Sequence, residues 1–431
     1  MKSRSLQLSL VLAALAVGVA VALPAEQLLR RQFQFDTQEK IQDQSKDDPI
    51  GATKMVLNMP HLSDYGYDFG YKEHGQLVSG WGDSKQVSWF NNGSFPFTKT
   101  VDAPGDQDNG WQSVPESLEG LELKTDVTIA QEGDTTVVQP YYISKNVNTD
   151  QVKRVVIVLP GKPRQAWKYA NLMYNALKWV NNQNLYGRSE GDAIIVAPVV
   201  LNNADKSAGG AKSNWAVYRL SNWDNGGVTH SPELDHSVSF FTALDDIIDK
   251  FMDRSEYPNV EKVVVAGHSL GAMAAQRHAV QMKSKNEDRV AWWIGNPGAW
   301  TWLVSDRPVK RDDCASSEND FPYGLDDEDN YTKYLKSQGI DASDIVSRYR
   351  SRSVHYALAL LDNQLGDSHC EAQAQGVNHL QRGANYVMML NNQDGGLPDT
   401  HSVSYIAGVS HQDYPMFAAA PSLAYLFGDA F

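Results

Sequence analysis

The run Val263-Val264-Val265-Ala266 passes without a spacer into Gly267-His268-Ser269-Leu270-Gly271, and the residues beyond it are small: Ala272, Met273, Ala274 and Ala275, then His278-Ala279-Val280. Such a run reads as a buried strand, and the small-residue stretch after it as a helix packed against a sheet. A strand that turns directly into a helix brings two backbones close together, and Gly267 and Gly271 leave room for that approach. The turn holds Ser269 in strained geometry with its hydroxyl raised above the sheet, the arrangement called a nucleophile elbow. G-x-S-x-G alone is common, so the flanking strand and helix give the pattern its weight.

The rest of the chain supplies a sheet for this turn. Leu121 to Ile129 alternates apolar and polar residues, and Thr135 to Ile143 answers it across Glu132-Gly133-Asp134, which predicts a hairpin. Apolar runs follow at 155–159, 193–197, 290–294, 354–360 and 403–407, separated by helical patterns near 169–180, 238–252 and 379–390. Strands apolar on both faces and separated by helices imply an α/β class with a mostly parallel sheet and helices on both faces. A hairpin leading into that sheet is the layout of the α/β-hydrolase fold, here expected over residues 121–431. With 431 residues and 42% hydrophobic content, the chain can bury a large core. Residues 51–120 are rich in Gly, Asn, Asp, Trp and Tyr without a period, and read as an N-terminal extension.

The opening residues carry an address. Lys2 and Arg4 precede an apolar run from Leu6 to Leu23 with Ala20-Val21-Ala22 as a cleavage site, so residues 1–22 read as a secretory signal peptide. Residues 23–50 read as a pro-segment or disordered linker, with Arg30-Arg31 as a candidate processing site. A secreted, extracellular chain agrees with the two cysteines, Cys314 and Cys370, which pair most economically as one disulfide. The sequons at Asn92 and Asn330 fit a glycoprotein. A net charge of -14 repels phosphate backbones, so nucleic acid is not expected as a partner; nor is a stable membrane span.

A serine hydroxyl needs a base within hydrogen-bond reach and an acid that orients the base. In this fold the chain order is serine, acid, histidine. His411 follows the 403–407 strand through Gly408-Val409-Ser410 and takes the place of the base; His401 lies at the other end of that strand. Two acids compete. Asp362 follows the 354–360 run directly and is favoured, while Asp367 lies three residues before Cys370, in a loop that a disulfide would stiffen. The oxyanion donors expected are the backbone N–H groups of Leu270 and of Lys162, the latter in the loop Pro160-Gly161-Lys162-Pro163-Arg164. Arg164 is a candidate to hold that loop. Trp300 and Trp302 are candidates for the substrate pocket. The acidic run 326–329 lacks the glycine and glutamate of a calcium loop and reads as solvated; neither metal nor cofactor is implied.

Together these segments resemble a group of secreted α/β-hydrolases of fungi and bacteria whose substrates are mostly unassigned. The matching pieces include Pro160 to Arg164, Val265 to Ser269, Gly295-Asn296-Pro297, Tyr323-Gly324-Leu325, Arg348 to Arg352, Cys370-Glu371-Ala372 and Ala407 to His411. The resemblance implies Ser269 as nucleophile and His411 as base. Ala359 stands where relatives often carry the Gly of Gly-x-x-Asp, and Gly366-Asp367-x-x-Cys370 also resembles the acid loop of cutinases, so both acids stay open. The expected function is a serine hydrolase cleaving a carboxylic ester, on a small molecule or an acylated polymer. A peptidase with the same triad, or a binding protein that kept the fold, are the alternatives.

Overall fold

The computed structural model describes residues 37–59, 62 and 97–429. The expected signal peptide, the Arg30-Arg31 pair and the Asn92 sequon lie outside the described residues. Nine strands make the main sheet: β1 (Ser117–Leu118), β2 (Leu121–Lys124), β3 (Tyr141–Ser144), β4 (Arg154–Leu159), β5 (Ala193–Pro198), β6 (Lys262–His268), β7 (Val290–Gly295), β8 (Ser353–Ala359) and β9 (His401–Ile406). Their order across the sheet is β1-β2-β3-β5-β4-β6-β7-β8-β9. The first three strands are antiparallel, and β4 to β9 run parallel to one another. An antiparallel start, the β5-β4 exchange and a parallel run to the far edge define the α/β-hydrolase fold.

The apolar runs divide their side chains between two cores, as a period of two requires. Val155, Ile157, Leu159, Val263, Val265 and Trp292 join one core, and Val156, Val158, Val264, Ala266 and Trp293 the other. Helix α1 (Pro49–Leu57), α3 (Phe240–Met252), α4 (Leu270–Gln281) and α5 (His379–Asn391) cover the first face. Helix α2 (Ala166–Asn182), with α6 (Asp413–Ala418) and α7 (Ala420–Phe427), covers the second. Among the described residues no helix is long and apolar enough to cross a membrane.

The expected long hairpin is split. β2 pairs with β3 in the main sheet, whereas Thr128–Glu132 and Thr135–Val138 form a separate two-stranded ribbon. Pro140, which has no N–H, sits at the break in the second arm, and its carbonyl accepts the Val199 N–H at 2.8 Å. The chain that follows β5 is folded onto the domain. Leu201–Asn202, Val217–Tyr218 and Thr229–Ser231 make a small sheet there, and Trp223 packs edge-on against Phe240 at the start of α3.

Residues 37–47 are helical and, with α1, lie along the outer edge of β9. Gln42 Oε1 accepts the Ala407 N–H at 2.9 Å, Gln38 Oε1 accepts the Gly408 N–H at 2.9 Å, and Tyr405 donates its hydroxyl to Thr53. Side chains of the N-terminal segment thus satisfy amides that an edge strand would otherwise offer to another chain.

Candidate active site

Ser269 has φ 60° and ψ -125°, and its N–H is held by the Gly295 carbonyl at 3.0 Å. A Cβ at Gly267 would stand 2.0 Å from the Gly271 carbonyl oxygen, and one at Gly271 would stand 2.4 Å from that of Leu159. Both positions therefore exclude any side chain, and the strain at Ser269 is held by backbone packing on two sides.

His411 and Asp362 come to the serine on two loops joined to each other. The Leu361 N–H donates to the Val409 carbonyl at 2.9 Å, and the Ser410 hydroxyl donates to the Leu361 carbonyl at 3.0 Å. His411 Nε2 lies 2.9 Å from Ser269 Oγ, and its Nδ1 lies 2.7 Å from Asp362 Oδ2. In the Nδ1–H tautomer the imidazole donates to the carboxylate and accepts from the serine hydroxyl. Asp362 is fully buried, whereas Ser269 and His411 are partly exposed, so solvent and small molecules reach the reacting end. Burial pushes the Asp362 carboxyl up, but the two imidazoles beside it, His379 and His411, outweigh that and hold it well below the usual carboxylate range. Burial also lowers His411, but the Asp362 charge and hydrogen bond raise it above its ordinary value.

Asp367 is placed differently. Its carboxylate accepts the Tyr323 hydroxyl at 2.8 Å and engages His369 Nδ1 at 2.5 Å, beside the Cys314–Cys370 disulfide. Of the two acids, the fold brings Asp362 onto His411. Near the serine, Leu270 and Tyr323 pack against Met273, Ala299 and Ala372, a small apolar cluster one turn along α4.

Leu270 is the first residue of α4, where a backbone N–H has no acceptor within its own helix. Lys162 follows Gly161 at the end of β4. The next turn is tight: Arg164 has φ 60° and its N–H donates to the Gly161 carbonyl at 2.8 Å. The Arg164 side chain holds the turn by donating to both oxygens of buried Asp205, at 3.2 and 2.9 Å. Asp205 also accepts the N–H groups of Trp111 at 2.9 Å and Asn202 at 2.7 Å, and Trp111 Nε1 donates to the Pro163 carbonyl. Sequence reasoning found Arg164 but not Asp205. The Asn202/Asp205 capping-box spacing was visible, yet nothing local shows that it reaches the 160–165 loop.

Trp300 and Trp302, expected at the pocket, lie instead in the core, exposed by 0% and 2%. Trp300 stacks on Tyr386 of α5 at 4.3 Å, and both indoles pack between α5 and the sheet. Continuity in sequence with the end of β7 suggested the pocket, but the chain turns both indoles into the core. Asn330 is exposed and its amide donates to Asp327. Two clusters hold three candidate ligand atoms among the described residues. In Asp313-Cys314-Cys370 the sulfurs are bonded to each other, and in Asp362-His379-His411 the two rings face the carboxylate beside Ser269.

Further polar groups lie around His411 that its sequence neighbourhood does not show. His268 Nδ1 lies 2.7 Å from Asp413 Oδ1, which also accepts the Tyr169 hydroxyl at 2.8 Å. His379 lies against Asp362 on the other side.

No protein-family model matches the chain, and no curated protein matches it. Solved structures do. A poly(aspartic acid) hydrolase-1 from Sphingomonas sp. KT-1 aligns at TM-score 0.45 and 16% identity, covering 65% of this chain and 90% of that one. A poly(3-hydroxybutyrate) depolymerase from Bordetella parapertussis aligns at TM-score 0.46 and 17% identity over 71% and 92%. An S-formylglutathione hydrolase from Agrobacterium tumefaciens aligns at 0.39 and 11% over 74% and 96%.

Proposed function

We propose that the chain is a secreted serine hydrolase that cleaves a carboxylic ester through Ser269, His411 and Asp362. The observation that carries this reading is the unbroken line Ser269 Oγ, His411 Nε2, His411 Nδ1, Asp362 Oδ2, with contacts of 2.9 and 2.7 Å at the end of a strained turn. In this scheme Ser269 Oγ attacks the ester carbonyl as His411 Nε2 takes its proton. The N–H groups of Leu270 and Lys162 receive the developing oxyanion. His411 then returns the proton to the departing alcohol, leaving an acyl-serine that water opens by the same route in reverse. Asp362 stays ionised and stabilises the imidazolium. The disulfide supports secretion, since such a bond persists in oxidising compartments.

A fluorophosphonate probe tests the nucleophile: the parent protein labels and Ser269→Ala does not. Short p-nitrophenyl esters set beside peptide anilides test the bond cleaved. Turnover of the anilides at the rate of the esters would replace the esterase reading with a peptidase one.

A further inference from the structure

His411 is one ring in a column of three. His379, the first residue of α5, stacks on one face with centroids 4.3 Å apart and planes 28° from parallel, and His268 from β6 lies 4.6 Å away on the other. The carboxylate of Asp362 spans two of these rings. Its Oδ2 is 2.7 Å from His411 Nδ1, and its Oδ1 is 3.1 Å from His379 Nδ1. Asp362 is 0% exposed and His379 3%, and neither Oδ1 nor His379 Nδ1 has a hydrogen-bond partner of good geometry. A buried carboxylate oxygen and a buried ring nitrogen each lose free energy if left unpaired, and a small rotation of either group lines up the contact between them.

We infer that His379 is a positioning residue for the triad: its Nδ1–H engages Asp362 Oδ1, so that Oδ2 is presented to His411 in one orientation and the carboxylate charge is shared between two rings. This rests on the triad reading above. The groups facing His411 are Asp362 from the loop after β8, His379 from α5, His268 from β6, Asp413 from α6 and Ser269 from the elbow. His379 itself faces Asp362, His411 and Arg382. Burial lowers His379, and the neighbouring His411 and Arg382 charges act in the same direction against the pull of Asp362. These directions favour the proton on His411 over His379, so that the imidazolium formed during turnover stacks between rings rather than against a second cation.

The sign of the effect follows from the charge. Without the His379 donor, the full Asp362 charge acts on His411, which becomes more basic. Its neutral form then appears only at higher pH. His379→Phe keeps a ring on the stack and removes the donor, whereas His379→Gln keeps an amide donor and removes the ring. With active sites counted by fluorophosphonate, His379→Phe is expected to lose about 10–100-fold in kcat with little change in KM, the size of effect expected of a misplaced catalytic group. Its acid limb moves up by roughly half a pH unit, and His379→Gln recovers most of both. Equal losses in both variants with an unmoved limb, or a Phe variant indistinguishable from the parent, would overturn the proposal. Nitrogen-15 histidine spectra of the unaltered protein give an arm that does not depend on either variant folding. They are expected to show His379 as a neutral Nδ1–H tautomer throughout the acid limb, and an Nε2–H tautomer or co-titration with His411 sinks the idea. Failure of the parent to label at Ser269 would instead remove the triad reading itself.

Discussion

Asp362 and Asp367 are five residues apart, yet only one is aimed at the base. The hydrogen bonds that tie 361 to 409 and 410 hold Asp362 under His411, while the turn at Gly366 and the disulfide loop point Asp367 at Tyr323. Replacing Asp362 by Asn should lower kcat by about 10⁴-fold, because the amide favours the wrong imidazole tautomer. Asp367→Asn should change kcat little; a reversed ranking, measured on p-nitrophenyl acetate with counted active sites, would exchange the two roles. The same geometry sets a pH dependence. His411 must be neutral to accept the serine proton, and Asp362 raises it above the ordinary histidine value of 6.5. Activity is thus retained at higher pH and lost as pH falls through a midpoint above 6.5. A kcat/KM profile with its acid midpoint below that value contradicts the assignment. The serine ends a strand and the histidine follows one across a short turn, so both places could be read from the sequence. Asp362 was favoured because it follows its strand closely, but Asp367 stayed open, because the choice depends on which loop the base loop bonds to, a contact that local sequence does not encode.

Among the elements, the chain between β5 and α3 is tied to the nucleophile helix. Arg277 on α4 is 1% exposed and donates to Asp224 at 2.5 Å and to Asn225 at 2.6 Å. Burial pushes the Asp224 carboxyl up to about 6 in spite of Arg277, so the pair sits in a poorly hydrated place. Removing one partner leaves the other buried and uncompensated. Asp224→Ala should cost about 3–5 kcal/mol, read as a lowered urea midpoint, whereas Asp224→Leu with Arg277→Met should recover much of that loss. A single variant as stable as the parent would show that the pair is not what holds this segment. The parallel strands and their helices could be read in advance because continuous apolar runs and period 3.6 survive in single stretches of sequence. The split of the 121–143 hairpin could not, since its outer half pairs apart from the sheet. The buried pairs Arg164–Asp205 and Arg277–Asp224 were hidden for the same reason: each joins segments about 40 to 50 residues apart.

At the scale of the whole molecule, the sheet has one edge at β9, and the residues that close it come from the other end of the chain. Ile41, Ala52 and Val56 are buried in the same core as α5, and Ser45, Gln42 and Gln38 supply side-chain acceptors to Tyr405 of β9 and to Ala407 and Gly408 just beyond it. Composition had divided this stretch between a linker and an extension; its polar glutamines gave no sign that they would serve an edge strand. Gly408 lies three residues before His411, so closing the edge also restrains the loop that carries the base. Chains beginning at Thr37 and at Asn58 separate these effects. The longer chain should be monodisperse and active, whereas the shorter one should expose the β9 amides, melt at lower temperature and self-associate through that edge. Its kcat per folded molecule should also fall, because Gly408 loses the Gln38 acceptor. Light scattering, thermal melts and fluorophosphonate-counted kcat read the three consequences in turn. If the chain beginning at Asn58 keeps the parent's melting temperature and kcat, the N-terminal helices cover the edge without supporting it, and the base loop is held by the Leu361–Val409 and Ser410–Leu361 bonds alone.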